Sequence, residues 1–222
     1  MKLYIVPTPI GNLEDITLRA LRILREVDFI LCEDTRTTKN LLKHYEIEKK
    51  CFAYHIHNEH QQVKQIVQQI KNAEAVALTS DAGTPGISDP GFLLIRECLA
   101  NQIEVECLPG ATAFVPAIIN SGLPCSSFYF HGFLPHKKGK ESLLKRIADA
   151  EESSIFYESP HRLLKSLKIM LTIFGAERPI AISRELTKIY EENFRGNMAE
   201  AVEYFSQKEI KGEIVIIISP KP

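Results

Sequence analysis

The feature that most constrains the fold is a repeated alternation of short apolar runs with longer segments of helical periodicity. The pattern begins at residues 3–6 and recurs along most of the 222-residue chain. Its clearest helix covers 58–71, with apolar residues at i, i+3, i+4 and i+7. These residues are Val63, Ile66, Val67 and Ile70. Continuous apolar strands separated by helices are typical of a parallel sheet that is covered on both faces, so the pattern predicts an α/β protein.

The alternation is interrupted once, at a cluster of turn residues covering 120–124, and this predicts two α/β domains, 1–117 and 118–222. In the first domain we predict strands at 3–6, 27–32, 51–54, 75–79 and 103–107, and helices at 16–27, 37–44, 58–71 and 91–101. In the second we predict strands at 127–131, 153–157, 179–183, 189–195 and 213–219, and helices at 138–149, 160–172 and 199–207. Two successive strands without a full helix between them indicate an antiparallel component. We therefore expect a parallel N-terminal sheet and a mixed C-terminal sheet.

Composition excludes several classes of protein. The formal net charge is −1, whereas a protein that holds nucleic acid mainly by neutralising phosphates is usually basic. The five cysteines are odd in number and no pair has Cys-x-x-Cys spacing, which argues against a disulfide framework or a zinc ribbon and favours a reducing cytosol. No apolar stretch approaches the roughly 18 residues of a membrane helix. We therefore expect a soluble, cytoplasmic protein.

Three loops of the first domain are candidate ligand sites, because ligands of parallel sheets bind at the carboxyl ends of the strands. They cover 7–12, 80–91 and 109–113, and each follows a predicted strand. The loop at 80–91 contains three glycines, and an ordered loop of its length within a compact domain is usually functional. The first loop could equally be a plain connector between strand and helix. In the third, Thr112 is a predicted helix N-cap.

Charged residues follow three further predicted strands. Asp34 and Arg36 follow the second strand, although Asp34 could simply cap the next helix. In the segment 158–162, Ser159 is a predicted cap and Pro160 a predicted first helical residue, and the helix start beside His161 and Arg162 would suit an anion. The segment 183–188 brings charges to the same predicted sheet edge, with a solvated loop as the alternative.

Two other clusters invite a functional interpretation. Residues 135–146 contain five Lys or Arg and one Glu, which could form a phosphate-contact surface through residues such as Lys137, Lys138 and Lys140, or a solvated helix face. His55, His57 and His60 resemble a metal cluster. No nearby cysteine completes a tetrahedral set, so we expect no metal.

Taken in order, these motifs resemble those of the tetrapyrrole methylase superfamily, and their form is similar to its RNA-modifying branch. The similar segments are 6–20, 33–36, 57–59, 80–91, 109–113, 158–162 and 183–188. The first loop departs from the superfamily's Gly-x-Gly-Pro-Gly form, with Pro7, Pro9 and Ile10 instead. The resemblance spans residues 3 to about 218, and several motifs in order are more specific than any one alone.

The resemblance implies two α/β domains with S-adenosylmethionine in the cleft between them. It implies 2′-O-methylation of a cytidine in the decoding region of 16S ribosomal RNA in the small subunit, by a homodimer without a metal. The cofactor contacts that it implies are Ile10, Ser80, Asp81, Thr84, Thr112 and Ala113, with Glu158 and Gly196 in the second domain.

A ribose hydroxyl is a weak nucleophile at neutral pH, so a general base, or a cation that stabilises the developing alkoxide, should assist the reaction. The candidate catalytic residues are Lys188, Glu185, Asp34 and Arg36, with Arg184 and His161 behind them. Lys188 and Glu185 come first, because a nearby carboxylate could tune the basicity of the lysine.

Two other functions remain open from the sequence. One is methylation of a porphyrin or corrin intermediate by an enzyme of the same superfamily, against which the forms of the first loop and of 158–162 both count. The other is a non-catalytic module that senses a nucleotide or binds the ribosome. RNA methylation and these two alternatives are distinguished by whether the protein methylates a substrate at all and by which substrate it methylates.

Overall fold

The chain consists of two compact units, Met1–Thr112 and Ala113–Pro222. The computed structural model describes residues 1–56, 58–136 and 139–221. The domain boundary predicted after residue 117 lies within helix α5 (Phe114–Ser121). That helix contacts strands of the second sheet, and the second unit therefore begins before it.

The first unit contains a five-stranded sheet in which every strand is parallel to its neighbours, in the order β3-β2-β4-β1-β5. Its strands are β1 (Lys2–Ile5), β2 (Phe29–Cys32), β3 (Cys51–Ala53), β4 (Ala75–Thr79) and β5 (Glu104–Cys107). Its helices are α1 (Leu18–Glu26), α2 (Thr35–His44), α3 (Glu59–Lys71) and α4 (Phe92–Ala100). A short 3-10 turn, Leu13–Asp15, precedes α1. The predicted parallel sheet is confirmed.

Both faces of the central strands are buried, which is why β2 and β4 are continuous apolar runs. One core cluster contains Leu3, Leu31 and Leu78 with α3 and α4, and another contains Val6 and Ile30 with α1 and α2. Burial of both faces removes any need for polar alternation along the strands. Charged side chains within the strands occur toward the β5 edge, where Glu104 and Glu106 pair with Lys2 of β1.

The second unit has a mixed sheet in the order β6-β7-β10-β8-β9. Its strands are β6 (Phe128–Phe133), β7 (Ser153–Glu158), β8 (Pro179–Arg184), β9 (Glu192–Asn197) and β10 (Ile214–Ile218). After α5, its helices are α6 (Lys140–Ala148), α7 (Leu163–Phe174) and α8 (Met198–Ser206). Within the described part of this sheet, β6 and β7 form the one parallel pair and β10 is antiparallel to both of its neighbours, so the predicted antiparallel component is confirmed.

Two local predictions in the second unit are wrong in detail. The strand predicted at 189–195 begins at Glu192, because the preceding residues form a loop held by side-chain hydrogen bonds. Helix α7 begins at Leu163, so Ser159 and Pro160 lie in the turn before it, and neither its N-cap nor its first residue is the one predicted. Among the described residues, no helix is both long and apolar enough to cross a membrane.

Candidate functional site

The loops after β1 and β4 are joined by their backbones at the carboxyl edge of the first sheet. Thr8 and Gly83 form an isolated antiparallel bridge, with N···O distances of 2.9 and 3.0 Å. The buried Thr8 hydroxyl donates to the Ser80 carbonyl at 3.1 Å, and the Ser80 hydroxyl donates to the Gly83 carbonyl at 3.1 Å. The Ser80 side chain is therefore already engaged in shaping the loop.

The loop after β5 completes this group of three loops. The Thr84 hydroxyl lies 3.0 Å from the Ala111 carbonyl and 2.8 Å from the Thr112 hydroxyl. Thr112 is not the N-cap that the sequence predicted, because the capping position of α5 is Ala113 and no side chain caps it. Its hydroxyl instead links the second and third loops.

Close packing also holds the first loop against the other two. A Cβ placed on Gly110 would lie 2.5 Å from Cβ and 2.8 Å from Cγ of Pro7, so only glycine allows this approach. Gly83 has a φ of +84°, and a Cβ there would lie 3.4 Å from Cγ2 of Ile10. The predicted contacts Ile10, Ser80, Thr84 and Thr112 thus lie on one set of connected loops.

A group of acidic residues lies at the same edge, after β2 and β4. Asp81 accepts the backbone N–H of Asp34 at 3.1 Å. Asp34 caps α2, as one of the two alternatives predicted, and also forms a two-point ion pair with the exposed Arg36. Hydrogen bonds from the Arg36 side chain and backbone lower the pKa of Asp34 to about 2. Asp34 is therefore an ionised cap and a poor proton acceptor.

The other two carboxylates of this group are shifted in the opposite direction. Burial, followed by the charge of Asp81, raises the pKa of Glu33. Burial, with the neighbouring Asp34 carboxylate, also raises the pKa of Asp81. A cationic ligand at this edge would relieve the repulsion between the carboxylates.

In the second unit, Glu158 lies at the end of β7 with a fully buried side chain. Its carboxylate accepts from the Ser159 N–H at 2.8 Å and the Ser166 hydroxyl at 2.6 Å, and it forms an ion pair with the Arg162 guanidinium at 2.6 Å. The Lys140 ammonium lies 3.8 Å away and donates to the Ser166 hydroxyl at 2.8 Å. These groups form an internal polar network that joins β7, α6 and α7.

This network corrects two sequence-based expectations. Lys140 was predicted to belong to an exposed phosphate-contact surface, but it is buried, because its ammonium is held between Ser166 and Glu158. Arg162 was predicted beside an anion site, but its guanidinium pairs with Glu158. Of the other members of the predicted surface, Lys145 and Arg146 are exposed on α6, and Lys137 and Lys138 lie outside the described residues.

Glu185 and Lys188 are brought together on the loop after β8. The Lys188 ammonium lies 2.8 Å from a Glu185 oxygen and 2.8 Å from an oxygen of Glu213. The Glu213 N–H also donates to Glu185 at 2.9 Å. A Cβ on Gly212 would collide with the Glu185 carboxyl group. The absence of a side chain at Gly212 therefore lets the Glu185 carboxylate pack against the backbone.

The electrostatics of this pair favour its charged form. Burial alone would raise the pKa of Glu185, but hydrogen bonds from Lys188 and from the Glu213 backbone lower it overall. Burial alone would lower the pKa of Lys188, but its bonds to Glu185 and Glu213 raise it overall. Lys188 is therefore a cation at neutral pH, which suits it to stabilise negative charge and makes it a poor general base.

Four remaining sequence-based candidates have simpler surroundings. His161 is exposed in the turn before α7. Gly196 pairs with Ile180 between β9 and β8, and a Cβ there would collide with the Glu200 carboxylate. Ala113 stands at the start of α5. Arg184 is fixed by Glu192 and by the Tyr190 carbonyl, so it braces the loop that carries Lys188.

Sequence reasoning missed Glu213, the second partner of Lys188. It is 25 residues away along the chain, and only the pairing of β10 with β8 brings it close. Within 1–56, 58–136 and 139–221 there is no group of three or more potential metal ligands, and the cysteines are free. His57 of the histidine cluster falls outside those ranges.

A family model described as Tetrapyrrole (Corrin/Porphyrin) Methylases matches residues 2–202. The chain therefore belongs to the tetrapyrrole methylase family, as its motifs predicted. Proteins named Ribosomal RNA small subunit methyltransferase I are among its relatives. The relative from Hydrogenobaculum sp. is 50% identical, over 99% of this chain and 96% of the relative. The relative from Thermotoga maritima is 47% identical, over 99% of each chain.

Solved structures agree with the family. Uroporphyrin-III C-methyl transferase from Thermus thermophilus, complexed with S-adenyl homocysteine, superposes with a TM-score of 0.69. The match covers 99% of this chain and 97% of that one, at 18% identity. At this identity the likeness establishes the fold, and the predicted α/β architecture is confirmed.

Proposed function

We propose that this protein transfers a methyl group from S-adenosylmethionine to the ribose 2′-hydroxyl of a cytidine in the decoding region of 16S ribosomal RNA. The observation that carries the proposal is near-full-length similarity, at 42–50% identity, to relatives named as small-subunit ribosomal RNA methyltransferases. The substrate is the RNA within the small ribosomal subunit, and the enzyme acts as a homodimer in the cytoplasm.

The chemistry of the first unit fits the cofactor. S-adenosylmethionine, when bound, supplies an electrophilic methyl group on a positively charged sulfonium. Ile10 offers an apolar surface beside Gly83, and the joined loops offer hydroxyls and backbone groups for a nucleoside. The raised pKa values of Glu33 and Asp81 indicate carboxylates that a cation would stabilise.

The residues proposed to hold the cofactor come from five segments. They are Ile10, Ser80, Asp81, Thr84, Thr112, Ala113, Glu158 and Gly196. The Glu158 carboxylate is fully used inside the second unit, so any contact there falls to backbone atoms or follows a rearrangement. Gly196 likewise offers backbone only.

Lys188 is the residue proposed to assist the chemistry. When the ribose oxygen takes the methyl group, S-adenosylhomocysteine would be the leaving group and the hydroxyl proton would pass to solvent water, and the oxygen carries negative charge before the new C–O bond is complete. A fixed ammonium beside that oxygen stabilises the charge, and Glu185 holds the ammonium in position. Asp34 and Arg36 neutralise each other and contribute to local structure and charge at the first sheet edge.

Methyl transfer from radiolabelled S-adenosylmethionine tests the proposal. Small subunits lacking the modification, naked 16S RNA and a porphyrin precursor are compared side by side. Label at a ribose 2′-oxygen of the decoding-region cytidine is expected, and the first two substrates show whether an assembled particle is required. Label in the porphyrin alone would show that the substrate is a porphyrin and not RNA. Cofactor binding without any methyl transfer would favour a non-catalytic module.

A further inference from the structure

The outward face of α7 is basic. Lys165 and Lys168 are exposed one turn apart, and Thr172 follows on the same side. The opposite side of the helix buries Leu163 and Leu167 in the core of the second unit. A shallow depression on the outward side is lined by Leu164, Lys165, Lys168, Ile169 and Thr172. No acidic residue occurs anywhere in α7.

Helix α6, which packs against α7, carries two further exposed cations. Lys145 and Arg146 are exposed on it, while Lys140 at its first turn points inward. The hydrogen bond from the Lys140 ammonium to Ser166 ties the start of α6 to α7, so the two helices lie side by side. We call Lys145, Arg146, Lys165 and Lys168 the α6–α7 basic face.

The cations of this face are not neutralised by the protein. Throughout the part of the chain that the structure describes, none of the four forms an ion pair, whereas cations such as Lys2, Arg22 and Lys208 do. The only acidic residue within either helix is the exposed Glu141. In a chain of net charge −1, this is a local excess of positive charge.

The surroundings of the face favour a polyanion over a lipid surface. Among the described residues of α6 and α7 no large apolar side chain is fully exposed, whereas a helix that lies on a membrane buries such side chains in it. Flexible lysines without carboxylate partners are the groups that contact nucleic-acid phosphates and release counterions. Lys165 and Lys168 both line the depression on α7, where their ammonium groups can contact phosphates.

We propose that the α6–α7 basic face binds phosphates of the ribosomal RNA substrate and holds the particle for methylation. This inference rests on the proposed function, since it names the surface by which the same substrate is held. It keeps Lys145 and Arg146 of the basic segment 135–146 that the sequence suggested, leaves out the buried Lys140 and adds Lys165 and Lys168 of α7. Because α7 follows the carboxyl end of β7, the face begins beside the Glu158 network.

The test uses a quadruple variant of the full chain, Lys145→Gln, Arg146→Gln, Lys165→Gln and Lys168→Gln. The control is Lys43→Gln with Lys64→Gln, two exposed helical lysines of the first unit that, among the described residues, also form no ion pair. Binding of small subunits is measured by co-sedimentation, without turnover, over a range of KCl concentrations. Methyl transfer and the affinity for S-adenosylmethionine are measured separately.

The quadruple variant should bind subunits at least about tenfold more weakly, with a log–log salt dependence shallower by about 3. Its kcat at saturating subunits and its cofactor affinity should equal those of the wild type. The control should match the wild type throughout. Unchanged subunit binding and salt dependence in the variant would overturn the inference while leaving methyl transfer intact. If the wild-type protein bound subunits through this face but did not methylate RNA, the proposed function would be wrong and the inference about the binding surface would stand.

Discussion

The position of Lys188 between two carboxylates decides what this side chain can do. Its pKa is raised, so at neutral pH it is an ammonium group fixed by Glu185 and Glu213. The sequence suggested that Glu185 tunes the basicity of Lys188. In the structure Glu185 instead holds Lys188 in its charged form, so the lysine supplies a fixed positive charge. A charge held in advance of the reaction needs no reorganisation when the alkoxide develops.

We predict that Lys188→Ala lowers kcat for subunit methylation by about 100-fold, with little change in KM, because it removes one preorganised positive group. Single-turnover assays with labelled cofactor measure the effect. Lys211→Ala, an exposed lysine on the neighbouring loop, is the control and should be fully active. Wild-type kcat in Lys188→Ala would exclude the lysine from the chemistry.

The pH dependence of wild-type kcat provides a second check on the same residue. A lysine that acts as a cation gives a rate that does not fall until the pH exceeds its raised pKa. A lysine that acts as a base would instead give a rate that climbs with pH toward that value.

The role of Asp81 can be tested by comparing how tightly the protein binds the charged cofactor and its uncharged product. We predict that Asp81→Asn weakens binding of S-adenosylmethionine by about tenfold, and binding of S-adenosylhomocysteine by less, because only the former carries the sulfonium charge. Isothermal titration calorimetry measures both affinities. For the wild type, the preference for the charged cofactor should decrease as the pH falls through the raised pKa values of Asp81 and Glu33. Equal losses for the two ligands would contradict an electrostatic role.

At the scale of elements, the loops after three neighbouring strands form one structure through backbone pairing and close packing. The Thr8–Gly83 bridge joins the first two loops, and the contact of Pro7 with Gly110 joins the first and third. Because the strands are parallel, their carboxyl ends meet at one edge and the loops can make these contacts.

We predict that Gly110→Ala lowers the free energy of unfolding by about 1–3 kcal/mol, because a new methyl group would collide with the Pro7 ring. It should also weaken cofactor binding. Adding Pro7→Gly in the same chain removes both the Cβ and the ring that the new methyl group would meet, and it should recover part of the stability, as urea denaturation would show. If the double variant is no more stable than Gly110→Ala, the packing argument fails.

At the scale of the whole molecule, the described residues hold no metal-binding group, and the reaction proposed needs none. We predict that a zinc-selective chelator, with magnesium kept constant to preserve the subunits, leaves methyl transfer unchanged. The rate of label incorporation measures this. Inactivation that zinc reverses would instead direct attention to the segment containing His55 and His60.

The sequence alone was sufficient for the order of nearly all helices and strands, because their periodicity reflects local burial. A strand with both faces covered must be continuously apolar, and a helix with one face covered must alternate every three to four residues. The loops at 7–12, 80–91 and 109–113 could be located for the same reason, as polar or glycine-rich interruptions after strands. The family motifs then added the cofactor and the substrate class.

Only the tertiary structure decided which side chains are available. Lys140 and Lys145 belong to the same basic segment, yet one is buried against Glu158 and Ser166 while the other is exposed. Glu213 reaches Lys188 only because β10 pairs with β8. Local sequence specifies the periodicity and the charge of a segment. The partner that neutralises a charge is set by the packing of elements far apart in the chain, and sequence spacing does not encode it.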